Sequence, residues 1–590
     1  MNWNLNTIYP SLQSKEFKED TKLLENTIDN IFSWMDINLK NQENIENKIN
    51  YFIEFKNKAE DLLSKLGPYS YLISAADTKN TLAMQTLNKM LTFEPRIISA
   101  EREFQSWLLG INSIDNIINE SETFKDYKYY LKNLINNGKH MPSKNEVKLL
   151  GKMKNTGSTA WENLHRITLS NLKAQINLQQ RNELLPFQAI QSLSSSSNSE
   201  IRKEAFKSKL NSYNKISETA MWAYNSIKGE QITEAELKGY TSVFHMTANS
   251  YNLKEETLTT MFKVIKKYLH SIQKGIAHKA KLLGYDNTLP SYDLFAPLGK
   301  TEKNYTFDEI KSIILDNLKE LGDNLNSIAK RVFNENWIDS EPRANKRGGG
   351  FSVNLHGIKE SRILFNFAGV ADNILQLSHE IGHVYHYSRL NKETAINSNC
   401  SLAVMESAAI FTENFLQRKL LKICSSKEKL NMLNGILMRY VKLILDIYAY
   451  YNFESKVLEI RKDRILSYYE LCELLKNTFA EAYGSSVDEE TIDKYAWMAL
   501  PQLYYSNRPY YMVSYAFGLL FTKGLYALYK KDKGNFMKNF DHFLSISGKC
   551  SVEEAALTLG IDLSSQEFWI SSLNLVEEDI NNFIKEDNLN

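Results

Sequence analysis

Proline and glycine are scarce in this chain of 590 residues, which contains only 10 prolines and 24 glycines. Typical proteins carry about 5% proline and about 7% glycine, so both residues that interrupt helices are well below their usual share. The sequence therefore predicts a mainly α-helical protein. Cysteine is also rare, and its four positions, 400, 424, 472 and 550, are too far apart to form a CxxC metal or redox motif. Such scattered cysteines are typical of a reducing compartment.

An excess of charge of either sign is also missing. The 71 Lys and Arg residues nearly balance the 70 Asp and Glu residues, which excludes binding to nucleic acid through bulk positive charge. The longest apolar run, residues 512–521, is too short to cross a bilayer. The first 12 residues show no basic region that leads into an apolar run, so we expect no secretory signal. We therefore predict a cytoplasmic protein with no membrane or nucleic-acid partner.

Helical periodicity organises most of the chain. Apolar residues recur at spacings of three and four between residues 16 and 185, which predicts a series of packed antiparallel helices. A serine-rich break at residues 192–199 indicates a boundary, and we expect an N-terminal helical domain at 1–191 and a second domain at 192–590. Between Trp337 and Val370, short runs of β-branched and aromatic residues predict two or three strands of a small sheet. Asp372 is the predicted N-cap of the next helix.

The most informative segment is HEIGHVYH at residues 379–386. His379 and His383 are four residues apart, so on a helix both imidazoles project from one face and can bind the same Zn²⁺ ion. Glu380 lies one position further round the helix, where its carboxylate can take a proton from a metal-activated water. This arrangement is typical of a zinc hydrolase. The alternative is a half-buried structural helix whose histidines pack in the core.

Glycine at position 382 is unusual in the middle of this helix. Glycine costs about 1 kcal/mol relative to alanine in a helix interior, so we expect another backbone or a ligand to approach closely there. Catalytic zinc usually has three protein ligands. A histidine ten residues after His379 would mark a metzincin, but that position is Arg389. Glu406 and Glu413 are alternative third ligands on a following helix, and they are too far apart, about 10.5 Å along the axis, to bind one ion together.

A family resemblance separates these alternatives. The pair of segments HEIGHVYH and ESAAIFTE, at residues 379–386 and 406–413, resembles the HExGHxxH and ExxxxFxE motifs of the oligoendopeptidase F and thimet oligopeptidase family of zinc peptidases. Further similar segments follow the family's order over nearly the whole chain, including KRGGGF at 346–351 and PYYMVSYAFG at 509–518. The resemblance implies that His379, His383 and Glu406 hold one zinc ion and that Glu380 is the general base.

The same resemblance implies a mainly α architecture, a large helical ellipsoid split by a deep substrate channel, with a small β-sheet next to the zinc-binding helix. It also implies that the region 192–590 is catalytic and that Tyr511 and Tyr515 stabilise the oxyanion. Gln502 stands where many relatives have a histidine, which leaves this part of transition-state stabilisation open. We further predict that an edge strand at 362–367 pairs with the substrate backbone. The predicted substrate-binding residues are Phe365, Asn366, Phe367, Gly349 and His386.

The expected activity is endopeptidase cleavage of short unfolded oligopeptides, without an obligate protein partner. Two alternatives remain. A zinc carboxypeptidase or dipeptidyl-carboxypeptidase would need a cation for the free carboxylate, for which Arg347, Arg389 and Arg508 are candidates. A non-catalytic peptide-binding protein would carry the motif without using it.

Overall fold

The computed structural model describes residues 1–178, 181–299 and 304–586. Helices dominate these residues, which confirms the prediction of a mainly α protein. In chain order the helices are α1 (Lys15–Asn38), α2 (Ile45–Ala76), α3 (Thr81–Met90), α4 (Phe93–Leu109), α5 (Ile114–Glu120), α6 (Lys128–Lys139), α7 (Lys144–Thr156), α8 (Ser158–Ser170), α9 (Phe187–Ser192), α10 (Ser199–Ser212), α11 (Ser217–Leu237), α12 (Val243–Ser250), α13 (Glu255–Leu282), α14 (Phe307–Leu318), α15 (Asp323–Asn334), α16 (Ala371–Leu390), α17 (Leu402–Ile423), α18 (Ser426–Tyr440), α19 (Asp446–Arg461), α20 (Tyr468–Tyr483), α21 (Val513–Lys531), α22 (Lys533–Ile546), α23 (Val552–Leu557) and α24 (Gln566–Glu586).

The described residues form two compact units, each built from three stretches of chain. The first unit comprises the described parts of Met1–His140, Lys303–Leu420 and Leu528–Ile561. The second comprises those of Met141–Glu302, Leu421–Ala527 and Asp562–Asn590. Because the chain passes between the units several times, neither unit coincides with a division at residue 191. That division stays a prediction from sequence.

A three-stranded sheet belongs to the first unit and confirms the strands predicted between Trp337 and Val370. Its strands are β3 (Ile338–Asp339), β4 (Phe351–Leu355) and β5 (Glu360–Leu364), in the spatial order β3-β5-β4. β5 runs parallel to β3 and antiparallel to β4, with Phe351 opposite Leu364. The prediction of an edge strand at 362–367 is wrong, because β5 is the middle strand and ends at Leu364. The edge strand next to α16, the helix that contains the HEIGHVYH segment, is β4.

The core of the first unit supports this sheet. The side chains of Phe351 and Val353 on β4 pack against the same apolar cluster that α1, α2 and α4 build, and Leu355 is buried within it. In that cluster the rings of Phe52 and Phe104 stack with centroids 3.9 Å apart. Alternate residues of a strand face opposite sides. Ser352 and Asn354 therefore face away from this cluster.

One predicted helical stretch is wrong. β1 (Lys173–Leu178) pairs antiparallel with β2 (Arg181–Pro186), in a region where the apolar periodicity predicts helices up to residue 185. Ala174 and Ile176 are 1% and 2% exposed, while their neighbours along β1 are exposed. This period-two burial is the property of a strand with one covered face. No helix within the described ranges has the length and apolarity needed to cross a membrane.

Candidate active site

The site is built on α16 and α17, which approach each other very closely at Gly382. A Cβ atom at Gly382 would lie 2.5 Å from the Cα atom of Ala409 and 2.6 Å from the carbonyl oxygen of Ala408. The expectation of a close backbone approach at this glycine is therefore confirmed. α16 begins at Ala371 with Val370 as its N-cap. The predicted N-cap, Asp372, instead lies in the first turn, where its negative charge favours the helix dipole.

Substituting Gly382 by alanine should separate the two helices. Alanine normally stabilises a helix relative to glycine by about 1 kcal/mol, but here the added methyl overlaps backbone atoms that cannot rotate away. We expect Gly382→Ala to lower the unfolding free energy by about 1–3 kcal/mol and to weaken metal binding. Calorimetric unfolding and metal titration measure the two effects. Gly435→Ala in α18 is the matched control, because nothing lies within 4 Å of its Cβ position. An equally stable Gly382→Ala chain would contradict this packing.

Three side chains from the two helices converge on one point. His379 Nε2 lies 3.4 Å from Glu406 Oε2, and His383 Nε2 lies 3.7 Å from the same oxygen. Ligand atoms of all three residues lie within 4.8 Å of one another, and these residues form the only such group of His, Cys, Asp and Glu in the described parts of the chain. Glu413 is not in the group.

The donor set fits zinc. Two ligands bound at about 2.1 Å in tetrahedral geometry lie about 3.4 Å apart, close to the two distances from Glu406. Two imidazoles and one carboxylate are also a common catalytic set, which leaves a fourth position open. Burial, together with the nearby imidazoles of His379 and His386, lowers the pKa of His383 to about 3. His383 is therefore neutral at pH 7, as a metal ligand must be.

Glu413 contacts His379 from the side opposite Glu406. Its Oε2 lies 3.1 Å from His379 Nδ1, so a protonated Nδ1 donates a hydrogen bond and Nε2 keeps the lone pair that faces Glu406. Burial alone would lower the pKa of His379, but the hydrogen bond and charge of Glu413, with further contributions from Glu380 and Glu406, raise it. Spacing identifies Glu413 as an alternative ligand, whereas the geometry gives it an orienting contact.

Glu380 is a buried carboxylate beside the cluster. It is 6% exposed, and its Oε2 atom is buried without a hydrogen-bond partner among the described residues. Burial raises the pKa of this carboxyl group, against the lowering effects of His379 and Ser352, and Glu406 raises it further. A desolvated carboxylate that retains an unused oxygen is suited to accept a proton.

Two neighbours of the cluster are not predicted from the sequence. The ring of Tyr387 stacks on His383 with centroids 6.1 Å apart and an interplanar angle of 15°. Tyr387 lies four residues after His383, so helical spacing could have identified it. Ser352 on β4 has a buried hydroxyl that borders Glu380 and Tyr387. Nothing in its sequence context places it there, because the contact depends on how the sheet packs on α16.

The structure changes the interpretation of several predicted substrate-binding residues. Phe365 and His386 are both 0% exposed, and His386 Nε2 lies 3.0 Å from Ser547 Oγ. Neither side chain has exposed surface in this structure, and their substrate roles stay predictions. The Asn366 amide donates hydrogen bonds to the carbonyl oxygens of Arg347 and Gly349, and so holds the glycine loop. Gly349 is exposed and Phe367 is partly buried, and their substrate roles stay predictions.

Tyr511 and Tyr515 belong to the second unit. Their hydroxyl oxygens lie 3.1 Å apart, and Tyr515 is 47% exposed, so the pair is available to solvent. Their role towards an oxyanion stays a prediction. Arg389, a candidate for recognising a free carboxylate, is buried and forms an ion pair with Asp541 at 3.5 Å. Arg347 is exposed on the glycine loop, where it donates to the Tyr71 hydroxyl.

Comparison with known proteins finds relatives over nearly the whole chain. Residues 109–173 match the family described as Oligopeptidase F. The group B oligopeptidase PepB of Streptococcus agalactiae is 23% identical, covering 98% of this chain and 95% of the relative. The oligopeptidase PepF of Bacillus subtilis is 24% identical, covering 98% and 86%.

Solved structures share the fold. The oligoendopeptidase-F of Enterococcus faecium superposes with a TM-score of 0.68 at 18% identity, over 98% of this chain and 99% of that chain. A protein of Chlamydophila abortus gives a TM-score of 0.87 at 20% identity, over 99% and 98%. The profile of Peptidase family M3 matches residues 192–575, which include the whole histidine and glutamate cluster. The chain therefore belongs to Peptidase family M3.

Proposed function

We propose that this peptidase is a zinc-dependent endopeptidase that cleaves short unfolded oligopeptides. The convergence of His379, His383 and Glu406 within 4.8 Å carries the proposal, because this is the donor set of a catalytic zinc with one open position. The names of the relatives PepB and PepF, both oligopeptidases, support the substrate class. The four cysteines are free thiols, which supports a reducing compartment such as the cytoplasm.

The mechanism assigns a separate role to each carboxylate. Zinc at this site would acidify a water molecule and polarise the scissile carbonyl. Glu406 completes the ligand set, and Glu413 keeps the His379 ring in the tautomer whose Nε2 can bind the metal. Glu380 accepts the proton of the attacking water at its unused Oε2 and passes it to the leaving amine nitrogen. Tyr511 and Tyr515 are proposed donors to the oxyanion.

The free edge of β4 is the proposed partner of the substrate backbone. The N–H groups of Ile363 and Phe365 point towards β3, where they donate to Trp337 and Asp339. Hydrogen bonding alternates along a strand, so Phe351, Val353 and Leu355 pair with β5, and Ser352 and Asn354 point their backbone groups outwards. On that side the described residues supply no backbone partner. Ser352 also borders Glu380, so a strand added here would run beside the general base.

Strand addition predicts an alternating response to substrate N-methylation. Because every second amide of an added strand faces β4, methylating alternate amides should raise KM about tenfold or more, whereas the amides between them should tolerate the methyl group. A series of peptides, each methylated at one position, measures this pattern by steady-state kinetics. Equal tolerance at all positions would exclude the β4 edge and point to side-chain pockets.

Blocking the peptide's carboxyl terminus distinguishes an endopeptidase from the carboxypeptidase alternative. Arg389 is already paired with Asp541, which leaves Arg347 as an exposed candidate in the first unit for a terminal carboxylate. We expect a C-terminally amidated peptide to be cut at the same internal bonds, with a kcat/KM within about threefold of that of the free acid. Mass spectrometry identifies the products. Loss of cleavage on amidation would favour a carboxypeptidase, whether or not an Arg347→Ala variant regains cleavage.

A further inference from the structure

The second unit contains a cavity of about 260 Å³ whose chemistry is unrelated to the metal cluster. Its walls come from α10, α19 and α20 and from the segments around residues 190–194, 291–295 and 492–496. A cavity of about 150 Å³ holds a benzene ring, so this one has room for an organic molecule of about ten non-hydrogen atoms.

Asp446 is the lining carboxylate without a cationic partner. Its Oδ1 accepts a hydrogen bond from the Tyr483 hydroxyl at 2.6 Å, and no ion pair within 4 Å involves it among the described residues. Burial raises its pKa to about 6, although Tyr483 and the more distant Lys442 act in the lowering direction. The group is therefore mainly ionised at pH 7, in a place where charge is costly unless it is compensated.

The other charged groups of the wall are already paired. Arg202 donates to Asp293 at 2.7 Å and to the carbonyl oxygen of Ser196. Lys209 forms an ion pair with Asp493 at 2.8 Å. Among the described charged groups of the wall, Asp446 is therefore the one without an ion pair within 4 Å, and the ammonium group of Lys442, which lies over the Phe295 ring, acts on it from a greater distance.

Aromatic rings form much of the remaining wall. They belong to Phe206, Tyr292, Phe295, Tyr450, Phe479 and Tyr483. Lysine ammonium groups already lie over two of these rings. Lys442 Nζ is 4.8 Å from the Phe295 centroid, and Lys209 Nζ is 5.5 Å from the Phe206 centroid. Aromatic faces attract cations, and the attraction grows when the cation is desolvated. The wall and Asp446 thus favour the same kind of ligand.

The backbone beside Asp446 has an unusual form. Residues Val441–Leu445 make a π-helical turn that joins α18 to α19, and Asp446 is the first residue after it. Such turns are rare, are less favourable than regular α-helix and are found frequently at functional sites. Asp446 and, one helical turn later, Tyr450 both line the cavity directly after this turn.

We propose that this cavity binds a small organic ammonium ion with an aromatic or aliphatic body. The ammonium group would donate to the Asp446 carboxylate, and the body would fill the space between the aromatic rings. A free amine and the amino-terminal residue of a peptide present the same chemistry. The site is independent of peptide hydrolysis, so its test does not require an active enzyme.

Calorimetric titration of the full chain tests the proposal with matched probes. Phenethylamine carries the ammonium group at neutral pH, its N-acetyl derivative has the same body without the charge, and phenylalanine amide represents a peptide amino terminus. We expect saturable binding of phenethylamine or phenylalanine amide with Kd below about 1 mM, and binding of the acetylated probe at least about tenfold weaker. The tighter of the two cations identifies the source of the natural ligand.

Asp446→Asn should weaken the binding of both cations about tenfold or more, because the amide still accepts from Tyr483 but carries no charge. Asp463→Asn is the matched control, since Asp463 is exposed just after the end of α19. This variant should bind both cations as the parent does. If Asp446→Asn unfolds, Ser194→Trp at the cavity wall provides a second variant that should block both cations. Binding unchanged by these substitutions or by acetylation, or no binding by the folded parent chain, would overturn the proposal.

Discussion

Replacing Glu380 by glutamine is expected to leave the metal in place and reduce kcat by about 10²–10⁴-fold or more. Glutamine has the shape of glutamate and lies beside the cluster formed by His379, His383 and Glu406 without being part of it. It cannot accept a proton from the attacking water. Steady-state kinetics and metal analysis of the same preparation measure both effects.

The stability of the Glu380→Gln variant provides a control. Burial raises the pKa of Glu380, so the ionised side chain destabilises the folded state above the unfolded pKa, and this cost disappears as the pH falls through the folded pKa. A neutral glutamine avoids the cost, and we expect a Tm at pH 7 no lower than that of the parent. Near-normal turnover by the metal-loaded variant would show that Glu380 is not the base.

Removing any one of His379, His383 or Glu406 is expected to abolish both metal binding and activity. Each alanine substitution deletes one of three donors that lie within 4.8 Å of one another. We expect less than about one tenth of the parent's zinc after dialysis, and peptide cleavage at background. Inductively coupled plasma mass spectrometry, together with a peptide assay, measures the two quantities.

Glu413 gives the matched contrast, since it lies on the same helix as Glu406 but contacts the Nδ1 side of His379, opposite the proposed metal position. Glu413→Ala should retain zinc when the metal is in excess, with affinity or activity lower by about 10–100-fold because the His379 ring loses its orienting acceptor. Glu413→Gln can still accept from Nδ1 and should restore much of the loss. If Glu413 controls metal content and Glu406 does not, the ligand assignment is wrong.

The parts of the site that depend on helical spacing within a single segment can be predicted from the sequence. Helical spacing places His379 and His383 on one face of α16, and Gly382 signals the close approach of Ala409, because only a missing Cβ permits it. The sheet follows from short apolar runs between glycines. Glu406 could be chosen over Glu413 only through the family resemblance, since spacing allows either residue.

The remaining features depend on contacts between distant segments. Hydrophobic periodicity contains no information about strand order. The sequence therefore does not reveal that β5 pairs with a strand on each side and that β4 has a free edge. His386 lies in the motif but packs against Ser547, more than 150 residues away. The pairing of β1 with β2 is missed because a short alternating run such as that containing Ala174 and Ile176 is a weak signal within a long helical region.

The most direct test of zinc-dependent endopeptidase activity is the cleavage of a mixed peptide library by zinc-loaded, chelated and zinc-restored protein, followed by mass spectrometry of the products. We expect one zinc per chain and cuts at internal bonds of short peptides. Cleavage should be lost with the chelator and return with zinc in the parent but not in Glu380→Gln. Equal cleavage by the fully chelated chain, or cuts confined to the last bonds before a free carboxyl terminus, would contradict these expectations.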